Sequence, residues 1–138
     1  MVHTIRLVES LRLSSTLTSV ARVLICEPHA DISALLELVV RRLGHEPLVS
    51  PGGAIGHISV DAAVIEPGEP AGLELARNLS AQNVPVLFTS IYAPVEELLA
   101  LRPAAYLVKP FPLYALERAL DAALTNVPVP ASVTAAAV

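Results

Sequence analysis

Apolar and polar positions alternate along the chain in blocks: short continuous apolar runs are followed by stretches in which apolar residues recur every third or fourth position. Val23-Leu24-Ile25-Cys26 is one such run, and it stops abruptly at Glu27-Pro28. An apolar run without polar alternation, ended by a loop signal, reads as a strand buried on both faces. Behind it, Ile32, Leu35, Leu36, Val39 and Leu43 repeat at helical spacing. Asp31 is placed to cap that helix, and Arg41, Arg42 and Gly44 supply C-terminal signals.

The alternation continues to the end of the patterned region. Leu48-Val49 predicts a short second strand, and Pro51-Gly52-Gly53 with Gly56 leaves room for only a short or irregular second helix before Asp61. Residues 62–65 predict a third strand, residues 72–81 a helix carrying Leu73, Leu75, Ala76 and Leu79, and residues 84–88 a fourth strand. Residues 95–101 make a short fourth helix and residues 104–108 a fifth strand, and Leu113, Leu116, Leu120 and Leu124 mark the inner stripe of a last helix. Strands joined by helical crossovers lie parallel, and right-handed crossovers cover both faces of the sheet. The expected fold class is therefore α/β, a doubly wound five-stranded parallel sheet.

In such a sheet, ligand sites form beyond the carboxyl ends of the strands. The residues expected there are Glu27 after the first strand, Glu66 after the third, Thr89 after the fourth and Lys109 after the fifth.

Composition narrows the class of function. A chain of 138 residues that is 54% hydrophobic can bury a core without metal or disulfide staples, and its mean hydropathy of +0.61 excludes a disordered chain. No uninterrupted apolar run approaches the roughly 18 residues that a membrane-spanning helix needs. A net charge of −4 gives no basic footprint for a nucleic-acid backbone or an anionic membrane, so neither is an expected partner. The single Cys26 cannot form an internal disulfide and reads as a small buried thiol, which fits a reducing cytoplasm.

Residues 22–125 are expected to form the one domain. Residues 1–21 carry Arg and Ser with few acids, superficially like a transit peptide, and read as an extra helix or a loosely ordered leader. Residues 126–138 are Pro- and Ala-rich without charge and read as a flexible tail. His29 lies beside Glu27, whereas His3, His45 and His57 show no metal-ligand spacing.

The string Tyr106-Leu107-Val108-Lys109-Pro110-Phe111, together with residues 23–46, residues 71–79 and Pro85-Val86-Leu87-Phe88-Thr89-Ser90, resembles the receiver domains of two-component response regulators. The likeness runs from Arg22 to Leu124. It implies a flavodoxin-like sheet in the order 2-1-3-4-5 and a cis bond between Lys109 and Pro110. It also implies that Glu27 and Pro28 stand where the family has its Mg²⁺-holding acidic pair, and Glu66 where it has the phosphoryl-accepting aspartate. Thr89 matches the hydroxyl that contacts the phosphoryl group, Lys109 the lysine and Tyr106 the switch aromatic.

The acidic positions depart from the pattern. Mg²⁺ demands near-octahedral oxygen ligation, and Pro28 offers neither a carboxylate nor an N–H. Glu27 and Glu66 are each one methylene longer than aspartate, and phosphoryl transfer is sensitive to displacements of about 1 Å. The loop after the third strand is about two residues shorter than the family pattern. No cofactor is expected, and Mg²⁺ binding is expected to suffer.

Two readings of Glu66 follow: a structural ion pair with Lys109, or a carboxylate that reaches Lys109 and Thr89 in imitation of a phosphorylated aspartate. The leading functional expectation is a stand-alone, phosphorylation-independent interaction module without enzymatic activity. Its partner would be a signalling protein or its own copy, bound through the face of the fourth helix, fifth strand and fifth helix, where Pro94, Leu98, Leu99 and Tyr106 lie. The alternatives are a regulator that accepts a phosphoryl group from a histidine kinase in a phosphorelay, and a flavodoxin-like small-molecule-binding domain, although no G-x-G-x-x-G or P-loop pattern follows a strand.

Overall fold

A computed structural model describes residues 20–50 and 59–125. The elements in chain order are β1 (Arg22–Cys26), α1 (Ala30–Arg42), β2 (Glu46–Val49), β3 (Ala62–Ile65), α2 (Pro70–Ala81), β4 (Val86–Ser90), α3 (Glu96–Leu99), β5 (Ala105–Val108) and α4 (Leu113–Leu124). The five strands form one sheet in the order β2-β1-β3-β4-β5, and every neighbouring pair is parallel. This is the flavodoxin-like receiver order. The expected leader and tail fall mainly or wholly outside the described residues, as do residues 51–58 of the expected second helix.

Among the central strands, β3 is apolar at every position, and β1 and β4 depart from this only at Arg22, Thr89 and Ser90, because both faces of the sheet are covered. Successive residues point to opposite sides of the sheet. Val23, Ile25, Val64, Leu87 and Leu107 therefore pack with Leu36, Val39 and Val40 of α1 and Leu116, Ala119 and Leu120 of α4. Their neighbours Leu24, Cys26, Ile65, Phe88 and Tyr106 pack on the other side, with Ala76 and Leu79 of α2 and Leu98 of α3. Phe88 and Tyr106 meet edge to face, with centroids 6.0 Å apart. β2 is an edge strand and carries Pro47.

Several boundaries differ from expectation. Helix α1 begins at Ala30 with His29 as its N-cap residue, so Asp31 lies in the first turn and makes no capping bond. There its charge still opposes the positive end of the helix dipole. Helix α2 begins at Pro70 rather than at residue 72, since the fixed φ of proline suits the first helical turn. β4 runs to Ser90, which places Thr89 inside the strand rather than after it. Among the described residues, no helix is long and apolar enough to cross a membrane.

Candidate functional site

The chain leaves β1 toward β2 on one side and returns to β3 on the other, which opens a crevice beyond the carboxyl ends of β1 and β3. Backbone bonds carry the ladder past the strand ends and set the site residues. The Glu66 N–H donates to the Cys26 carbonyl at 2.9 Å, and the Lys109 N–H donates to the Ser90 carbonyl at 2.7 Å. The Lys109-Pro110 peptide bond is cis.

Lys109 pairs with Glu27. Its Nζ donates to Glu27 Oε1 at 2.8 Å, and the Glu27 side chain is 1% exposed against 16% for Lys109. The other oxygen, Oε2, accepts the His29 backbone N–H at 3.1 Å. The His29 ring is mostly exposed, with Nδ1 3.8 Å from the same oxygen. A carboxylate with both oxygens engaged tolerates burial that a bare one would not.

The expected ion pair between Glu66 and Lys109 is not formed. Glu66 is half-buried, and its Oε1 instead accepts the backbone N–H of Gly68 in its own loop. Strand adjacency does not decide the pairing, since β3 lies between β1 and β5; the Glu27 side chain is turned into the buried crevice, while the short β3–α2 loop brings a donor directly to Glu66. The Glu27–Lys109 contact and the Gly68 partner were both missed in sequence; the spacing Glu66-Pro67-Gly68 was the available signal for the second.

Glu27, Glu66 and Glu69 line a cavity of about 160 Å³ with Cys26, Pro28, Val49, Ser50, Ala71 and Gly72. Burial pushes the Cys26 thiol up from its ordinary range, and the carboxylates of Glu27, Glu69 and Glu66 add to the shift. The thiol is thereby kept protonated and unreactive. Gly72 is required by close approach, because a Cβ there would stand 2.6 Å from the Glu66 carbonyl oxygen.

Thr89 and Tyr106 complete the set, each 1% exposed. The Thr89 hydroxyl has no hydrogen-bond partner among the described residues. The Tyr106 hydroxyl donates to the Tyr92 carbonyl at 2.9 Å, and the Tyr92 N–H donates to Ser90 Oγ at 3.1 Å, so the loop after β4 is tied at both its backbone groups. Of the apolar residues expected near this face, Leu98 and Tyr106 pack inward while Leu99 is exposed. Ile91, Tyr92, Val95 and Tyr114 are exposed beside it.

No family model matches the chain. Among solved structures, the signal receiver domain of a modulated diguanylate cyclase from Desulfovibrio desulfuricans is similar at 25% identity, with a TM-score of 0.67, covering 78% of this chain and 96% of that one. The receiver domain of a Francisella response regulator shares 23% identity with a TM-score of 0.66, covering 77% and 98%. The receiver domain of a sensor histidine kinase from Pseudomonas aeruginosa, which has a magnesium ion coordinated in its active-site cleft, shares 21% identity with a TM-score of 0.64, covering 77% and 98%. A probable transaldolase from Exiguobacterium sibiricum is 36% identical over 87 residues, which is 63% of this chain. The chain spans 40% of the length of that curated relative.

Proposed function

From the premise that this chain carries a receiver domain of the response-regulator class, we propose that it is a phosphorylation-independent, non-enzymatic interaction module of signal transduction in the cytoplasm. The observation that carries the reading is the buried Glu27–Lys109 pair. The lysine that the family resemblance assigns to a phosphoryl group is already neutralised by a carboxylate of the chain itself.

The donor set supports the same conclusion for Mg²⁺. Both Glu27 oxygens are engaged, Pro28 supplies no side-chain ligand, and Glu66 accepts from Gly68. A hard divalent cation needs several free oxygens in near-octahedral array, and these residues do not fit it.

The partner surface is inferred from where apolar area is left uncovered. Five of the nine exposed large hydrophobic side chains among the described residues, Ile91, Tyr92, Val95, Leu99 and Tyr114, lie on or next to α3 and α4. Concentrated exposed apolar and aromatic side chains mark interaction surfaces. A signalling protein or a second copy of the chain would bind there.

A second reading, acceptance of a phosphoryl group from a histidine kinase, is favoured by the unpartnered Thr89 hydroxyl. Incubation with acetyl phosphate and Mg²⁺ followed by intact-mass measurement separates the two. An unmodified mass is expected, and a phosphoryl adduct mapped to Glu66 overturns the first reading.

A further inference from the structure

Glu66 stands at the acceptor position yet is engaged by its own loop. The β3–α2 connection is short, and its Gly68 N–H meets Glu66 Oε1. The nearest atoms to a Cβ built on Gly68 are all of the Glu66 side chain: Oε1 in direct collision, Oε2 at 3.3 Å and Cδ at 3.4 Å. Gly68 thus leaves open the space that the Glu66 carboxylate occupies. The same loop continues into Glu69, which lines the cavity, and into Pro70 at the start of α2.

We infer that Glu66 is a built-in clasp for the β3–α2 loop: its carboxylate caps the Gly68 N–H and holds the cavity rim in one conformation without a metal or a phosphoryl group. This rests on the reading that Glu66 is not a phosphoryl acceptor, and it assigns the residue a task in place of that one. A carboxylate on a backbone N–H is a charge-assisted bond, stronger than its neutral counterpart. The inward side of the clasp is fixed too, because the Glu66 N–H is held by the Cys26 carbonyl at 2.9 Å and Gly72 packs against the Glu66 carbonyl. With its backbone anchored on β1 and its side chain on Gly68, Glu66 joins the sheet to the loop through a single residue.

The test is amide hydrogen exchange at Gly68, read by NMR in the whole chain, for the native protein, Glu66→Gln, Glu66→Ala and Gly68→Ala. Glu66→Gln keeps a side-chain acceptor and is expected to retain protection. Glu66→Ala removes the acceptor, and exchange at Gly68 is expected to rise about tenfold, the scale of one lost hydrogen bond to a charged group. Gly68→Ala should give a comparable rise at residue 68 by evicting the carboxylate, and should add little once Glu66 is alanine. Equal Gly68 protection in the native protein and Glu66→Ala overturns the clasp. Should Glu66→Ala not fold, the comparison of native protein with Gly68→Ala decides in the same way. Acetyl phosphate labelling is scored separately: an adduct on Glu66 fails the functional reading, whereas unchanged exchange without an adduct fails the clasp alone.

Discussion

Glu27 and Lys109 lie 82 residues apart in sequence and 2.8 Å apart in space, at the carboxyl ends of the first and last strands. The carboxylate is the more deeply buried partner, so it has less access to water than the lysine when the pair is broken. Removing one member of a buried pair strands the other charge, at a cost of about 3 kcal/mol. Lys109→Met is therefore expected to lower stability by about that amount in urea titrations at neutral pH. In Lys109→Met combined with Glu27→Leu, which removes both charges, most of the loss should be recovered.

Tyr106→Phe removes the hydroxyl that donates to the Tyr92 carbonyl while leaving the ring in the core. A loss of about 1 kcal/mol is expected from that bond. Hydrogen exchange should also quicken at residues 91–95, which form the loop that displays Ile91, Tyr92 and Val95. A Tyr106→Phe chain with native exchange rates in that loop would show that the hydroxyl does not hold it.

Thr89→Val replaces an unpartnered buried hydroxyl with a methyl group of similar shape. Leaving a buried polar group unsatisfied is unfavourable, so the substitution is expected to leave the melting temperature unchanged or raise it by a few degrees, equivalent to about 1 kcal/mol. A lower melting temperature would reveal that the hydroxyl has a partner.

The Cys26 thiol, raised by burial and by nearby carboxylates above its ordinary value of 9.0, sets a stability change at alkaline pH. Below the unfolded value both states are protonated and the full contribution is present. As pH climbs past about 9 the unfolded thiol ionises first, so stability falls until the folded thiol also ionises. Urea titrations at about pH 8 and about pH 10 should show a steeper decline for the native chain than for Cys26→Ala. Thiol labelling in native buffer should be slow and should become rapid in denaturant.

The sheet was legible in the sequence because buried parallel strands are apolar at every position, and residues 23–26 and 62–65 show this without ambiguity. The carboxyl-end positions of Glu27, Glu66 and Lys109 were legible for the same reason: where an apolar run stops, the site begins. The pairing among them was not. Whether Lys109 meets Glu27 or Glu66 is decided by side-chain direction and loop length, which a linear pattern does not encode. Thr89 was displaced by a shift in strand boundary, since β-branched and hydroxyl residues continue a strand as readily as they end one. Tyr106 was legible as a strand residue, but its acceptor is a backbone carbonyl, and every residue has one.

Pro47 in β2 bears on how the sheet behaves in a crowd of copies of itself. The Glu46 N–H donates to the Ala21 carbonyl and the Ser50 N–H to that of Ile25, so even-numbered residues of this segment turn their donors toward β1. Residue 47 accordingly faces outward along the open edge, and proline has no N–H to offer there. A strand arriving from another molecule would find the donor row interrupted at its middle and the charge of Glu46 beside the gap. Edges broken in this way resist edge-to-edge aggregation.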